Sequence, residues 1–137
     1  MNKKLILASL AAWVVFFLGG GAIYQVILKH FYDVHMTEGF RALQYEKPLY
    51  GMLLGSTLLF AVLNTWVLQR TGSTTPMKAI WVSAWLNLMV SLAYDLLNSG
   101  TYAPFHDVAL EITVDVAANV VLGAVVGLAA GWVLGRE

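Results

Sequence analysis

The chain is 137 residues long, contains no cysteine, and sets eight basic against eight acidic side chains, for a formal net charge of zero. Apolar residues make up 59% of it and charged residues 12%, where a soluble domain averages about 25% charged. Too few charges to cover a water-facing surface exclude an ordinary soluble, disordered or disulfide-framed secreted protein; the balanced charge speaks against a nucleic-acid partner, and the missing cysteines exclude thiol catalysis and thiolate metal sites.

Four apolar runs reach the roughly 20 helical residues that a hydrocarbon core requires. They lie near residues 5–28, 49–68, 77–98 and 108–134. In the first, Lys3-Lys4, an apolar stretch to Leu18 and the small cluster Gly19-Gly20-Gly21-Ala22 imitate a secretory signal with cleavage after Ala22. The apolar character continues through Leu28, so retention of this span is expected, with Lys29-His30 closing it. The loop from Lys29 to Lys47 is expected to hold an interfacial helical turn around Phe40-Arg41-Ala42-Leu43. Gln69-Arg70-Thr71-Gly72 closes the second span, Pro76 suits the opening of the third, and Pro104 falls in the turn before the fourth. Lipid leaves backbone groups to be satisfied internally, and the period-two alternation of a barrel is absent. The expected fold is one all-α domain over residues 1–137, a four-helix transmembrane bundle.

Basic residues flanking the spans set its orientation. A cytoplasmic N-terminus gathers Lys3, Lys4, Arg70, Lys78 and Arg136 on the inner side and leaves Lys29, Arg41 and Lys47 outside. Both termini are therefore expected to be cytoplasmic. On that topology His30, His35, His106 and seven of the eight acidic residues fall in the outer half. Tyr32, Tyr45, Tyr50 and Tyr102 outside, with Trp66, Trp81 and Trp132 inside, read as interface anchors.

The informative pattern is a pair of polar rows at four-residue spacing, which stack along one side of a helix. Span three reads Ala79, Ser83, Asn87, Ser91, Asp95; span four reads Glu111, Asp115, Asn119, Gly123, Gly127, Gly131. Folding the hairpin about Ala103 is expected to set Asp95 against Glu111, Ser91 against Asp115, Asn87 against Asn119, and Ser83 against Gly123. Small residues at Ser83, Gly123, Gly127 and Gly131 mark the close approach of the two helices. Toward the outside the helices are expected to diverge around a polar crevice lined by Asp95, Glu111 and Asp115. Asp115 lies about 10 Å along its helix at 1.5 Å per residue, too deep to reach headgroup water. Neighbouring carboxylates without a basic partner cannot all ionise cheaply, so one is expected to hold a proton.

Two readings of Asp95, Glu111, Asp115, Asn87, Asn119 and Ser91 follow: a site for a small ligand, cation or proton, or interhelical hydrogen bonding that only fixes register. His30, His35 and His106, with nearby carboxylates, are weak candidates for a zinc site, although no nucleophile elbow or zinc-helix motif occurs. The run Gly19-Gly20-Gly21 is expected to permit a kink or tight packing around Tyr24 and Gln25.

The glycine-rich stretch ending in an aromatic (Gly19-Gly20-Gly21-Ala22-Ile23-Tyr24), the Thr74-Thr75 turn and the Asp115-x-x-x-Asn119 element are features by which the chain resembles the small four-helix bacterial membrane proteins grouped as domains of unknown function. The resemblance implies a multi-pass fold in the bacterial inner membrane and carries no catalytic residue or cofactor with it. The expected function is non-enzymatic: a membrane protein binding a ligand, cation or proton in the outward crevice, as a transport or complex subunit. The bilayer, and self-association or a larger membrane complex, are its expected partners. A ligand-free structural accessory subunit and an outward-facing metal-dependent hydrolase are the alternatives.

Overall fold

A computed structural model describes residues 2–136. Six helices succeed one another: α1 (Lys3–Ala22), α2 (Lys29–His35), α3 (Glu38–Arg41), α4 (Tyr50–Arg70), α5 (Pro76–Thr101) and α6 (Val108–Leu134). A single π-helical turn, Ile23–Ile27, joins α1 to α2. Among the described residues there is no strand, only one antiparallel bridge between Met36 and Phe105. Four of these segments, Lys3–Ile27, α4, α5 and α6, are long and apolar enough to cross a membrane.

Local chemistry explains the boundaries. The Asn2 side chain accepts from the Lys4 amide to start α1, and Asp107 accepts from the Leu110 amide to start α6. Both satisfy donors that a first helical turn leaves orphaned. Pro76 occupies the first turn of α5, where its missing N–H costs nothing. After α4 the chain reverses through Gly72 at φ 64°, a left-handed conformation that glycine adopts without strain. Two ends differ from expectation. Helix α5 runs to Thr101 rather than Asn98, because nothing before Ala103-Pro104 disfavours helix, and Thr101 Oγ1 donates to the Leu97 carbonyl at 2.8 Å. Lys29-His30 does not close the first span; it opens α2, after the break at Leu28.

Helix α1 lies between α4 and α6, and α5 packs chiefly on α6. Ser9 and Thr65 hydroxyls meet at 2.6 Å between α1 and α4, and Trp13 Nε1 donates to the Leu54 carbonyl at 3.1 Å. Ala8, Ala12 and Phe16 of α1 join Ala61, Leu68, Leu122, Val126 and Ala130 in one core cluster. Cleavage after Ala22 would strip the bundle of that contribution. Lys4 Nζ donates to the Arg136 carbonyl, so both chain ends sit at the same end of the bundle. Only 22–33% of the most apolar stretch of each long helix is buried within the fold. Large apolar side chains such as Met52, Leu59, Trp81 and Trp85 point outward, an arrangement that suits lipid and not water.

The α5–α6 hairpin is close-packed along the glycine row, but in a register one turn away from that expected. Gly123 faces Asn87, Gly127 faces Ser83 and Ala79, and Gly131 faces Ala79. The reason is the extra length of α5: with helix ends at Thr101 and Val108, the hairpin folds just past Pro104 rather than at Ala103. A Cβ added at Gly131 would lie 2.5 Å from Ala79 Cβ, and one at Gly127 would meet Ser83 Oγ at 2.7 Å. These glycines are contact points where no side chain fits.

Candidate functional site

The one-turn register shift redistributes the polar ladder. Ser91 does not meet Asp115; its hydroxyl turns back to the Leu88 carbonyl at 3.3 Å. Asn87 uses its amide on the Ser83 carbonyl at 2.8 Å, and Ser83 Oγ donates to Asn64 Oδ1 at 2.6 Å, tying α5 to α4. Asp95 instead faces Asp115, with Glu111 its next carboxylate neighbour. Asp95 and Glu111 are each 6% exposed.

Asp115 is held from the other side of the bundle. Its Oδ1 accepts from the hydroxyls of Tyr24 and Tyr32, both at 2.8 Å. Its Oδ2 accepts from Asn119 Nδ2 at 2.8 Å, and the same amide reaches Tyr24 Oη at 2.7 Å. Three elements thus converge on one carboxylate: the π-helical turn brings Tyr24, α2 brings Tyr32, and α6 itself brings Asn119 one turn on. The convergence has a local cause. Gly19, where a Cβ would lie 2.7 Å from Leu122 Cδ1, lets α1 lie against α6. The π-helical turn that follows re-aims the chain, a distortion found mostly as single turns and often at functional sites.

The mouth of the expected outward crevice is covered. Backbone bonds from Thr37 N to the Pro104 carbonyl (2.9 Å) and from His106 N to the His35 carbonyl (3.0 Å) stitch the end of α2 to the α5–α6 turn. The Tyr32 ring lies 5.8 Å from that of Tyr24 and 5.5 Å from that of Phe105, and Phe40 adds a further ring 6.4 Å from Phe105. An aromatic cap closes what was expected to be an open cleft. Tyr32, read from the sequence as a plain interface anchor, is part of this cap and a direct partner of Asp115.

One polar atom of the cluster is left over. Asp95 Oδ2 is buried and has no hydrogen-bond partner among the described residues, as does Asn64 Nδ2 deeper in the bundle. Neither α6 nor the part of α5 beyond Lys78 contains a lysine or arginine, so no basic side chain on the hairpin compensates the carboxylates.

The histidines take no part. His35 and His106 are brought together by backbone bonds alone; His35 stacks on Phe31 at 4.3 Å and places Nδ1 on the Phe31 carbonyl, while His30 and His106 are exposed. Among the described residues no three His, Cys, Asp or Glu side chains are placed to hold a metal ion.

Tyr32, outside the long helices, has its phenol pushed well above the ordinary value of 10.0, first by burial and then by the Asp115 carboxylate. It therefore stays neutral and donating at physiological pH. A phenol whose pKa is raised by folding contributes stability in full below its unfolded value, and that stability is lost as pH rises beyond it. Resistance of the purified protein to unfolding is expected to fall above pH 10.0, and to fall less in Tyr32→Phe. Equal alkaline losses in the two proteins would contradict the bond.

No family model, curated protein or solved structure matches the chain.

Proposed function

We propose that the chain is a non-enzymatic multi-pass membrane protein, both ends cytoplasmic, that binds a proton or small cation at the Asp95–Glu111–Asp115 cluster between α5 and α6. The observation that carries this is the contrast within the cluster: Asp115 is gripped by three donors, while buried Asp95 keeps an oxygen with none. Uncompensated carboxylates between membrane helices are costly and mark ion or proton sites by default. The bacterial inner membrane follows from the resemblance drawn above, and four spans leave little room for a solute path within one chain. A transport or complex subunit that self-associates or joins a larger assembly is the role that fits.

Proton uptake and sodium or calcium binding by the full chain in lipid vesicles test this reading. Wild type is expected to take up one of these ions, and Asp115→Asn, inserted at the same level, to bind it at least about tenfold more weakly, the equivalent of 1.4 kcal/mol. Indistinguishable binding by the two proteins would remove the reading. Reporter fusions at Gly72 and Thr101 test the orientation: an external signal at Gly72 would reverse it.

A second reading is favoured by the full occupancy of Asp115. Its hydrogen bonds to Tyr24, Tyr32 and Asn119 suit a staple that fixes the cap, as a structural accessory subunit of a larger complex would need. That role predicts co-purification with a defined partner in mild detergent and no ion response.

A further inference from the structure

The occupant of the cluster is decided by which oxygens remain available. Both oxygens of Asp115 are engaged: Oδ1 takes two phenol protons and Oδ2 takes an amide proton. A metal ion on Asp115 would have to displace at least one of these donors. It would also need further hard oxygen ligands, since such ions take about six or more, and the described residues supply no group of three acidic or histidine side chains placed to hold one. Asp95 presents the opposite deficit. Its carboxyl group, 6% exposed, faces Asp115 and has one oxygen with no donor. A second ionised carboxylate there would be an uncompensated charge, far costlier in a low-dielectric interior than a neutral acid. A hydrogen atom on Asp95 removes both defects at once, by neutralising that side chain and giving it a donor aimed at its acceptor neighbour.

Resting on the ion-site reading, we infer that the bound species is a proton, shared between Asp95 and Asp115, and taken up from the α2 end of the bundle only. The step is a simple transfer: a water molecule or hydronium at the cap gives a proton to Asp95, a single O–H bond forms, and that O–H donates to the Asp115 carboxylate. The pair then carries one negative charge, which the hydroxyls of Tyr24 and Tyr32 and the Asn119 amide stabilise. The groups facing the pair are these two tyrosines from the π-helical turn and α2, and Glu111 and Asn119 from α6.

Direction follows from packing. Beyond Ser83 and Asn64, toward the chain termini, the interior is Leu68, Ala79, Val126 and Ala130, each at 0% exposure, with Gly127 and Gly131 in backbone contact with α5. No polar side chain there continues a relay, so a single copy senses protons from one side and does not conduct them. On the opposite side, Glu111 lies one turn of α6 nearer the cap than Asp115, between the pair and the Tyr32–Phe105 lid.

Carbon-13 spectroscopy of the full chain in lipid vesicles, labelled at the aspartate carboxyl carbon, tests this. The chain has four aspartates, Asp33, Asp95, Asp107 and Asp115. At neutral pH one of the four is expected to resonate as a carboxylic acid, and to be lost in Asp95→Asn. Asp95→Glu keeps a carboxyl group but removes it from the aspartate-labelled spectrum, so it serves where Asp95→Asn fails to insert. The acid signal is expected to be unchanged when sodium or calcium is added at constant pH. Loss of the signal on adding either ion would overturn the proton inference and leave the ion-site reading standing. Four ionised aspartates that respond to neither ions nor pH would overturn both. Persistence of the acid signal in both Asp95 variants would also refute the assignment.

Discussion

Gly127→Ala is expected to be the most destabilising single-methyl change in the chain, at about 2–3 kcal/mol for overpacking a close contact. The added Cβ would meet the Ala79 carbonyl oxygen and, at 2.7 Å, both Cβ and Oγ of Ser83. A carbonyl oxygen is backbone and cannot rotate away, so α5 and α6 must separate. Separation here also pulls Ser83 from Asn64 and opens the floor beneath the carboxylates. Gly55→Ala, on α4 with open space around it, is the control: it should be neutral or slightly stabilising, since alanine is the better helix former by about 1 kcal/mol. Unfolding of the detergent-solubilised protein by sodium dodecyl sulfate separates the two outcomes. Equal stabilities for Gly127→Ala and Gly55→Ala would mean that the helices are not in contact at this point.

Asp115→Leu is expected to have the second large effect, because it strands three donors rather than deleting one bond. A buried donor left without a partner costs about 1–3 kcal/mol; Tyr24 and Tyr32 are half-buried and recover part of this from water, so a net loss of about 3 kcal/mol is expected. The loss should be local in form. With Tyr32 released, α2 is tied down only by the Met36–Phe105 bridge and its aromatic contacts, so proteolysis between Lys29 and Lys47 is expected to accelerate. Asp115→Asn keeps one acceptor oxygen and should lose less, about 1–2 kcal/mol, near the upper end for interhelical hydrogen bonds in bilayers. A leucine variant as protease-resistant as wild type would show that Asp115 does not hold the cap.

The helices were legible in the sequence because each rests on composition and local chemistry. Val108–Leu134 begins and ends where its cap and apolar run place it. Tight α5–α6 packing was legible from the glycine row, but its register was not: register depends on the turn centre, and three more helical residues before Ala103 moved every rung by a turn. The partners of Asp115 were not legible at all. Tyr24 and Tyr32 lie 91 and 83 residues away in sequence, and no periodicity states which helix a tyrosine faces. The Gly19-Gly20-Gly21 run was the one available pointer, since it marks where α1 can approach another helix. Four-residue spacing did identify Asp115 and Asn119 as one unit, and they act on the same tyrosine.

The physical claim beneath the proposed site is that Asp115 turns inward to Tyr32 and is not directed at lipid or at Ser91. A double-mutant cycle on Tyr32→Phe and Asp115→Asn measures that contact with little reference to the rest of the fold. The bond predicts a coupling of about 1 kcal/mol or more between the two substitutions. Additivity within about 0.3–0.5 kcal/mol, as for residues that do not touch, would contradict it.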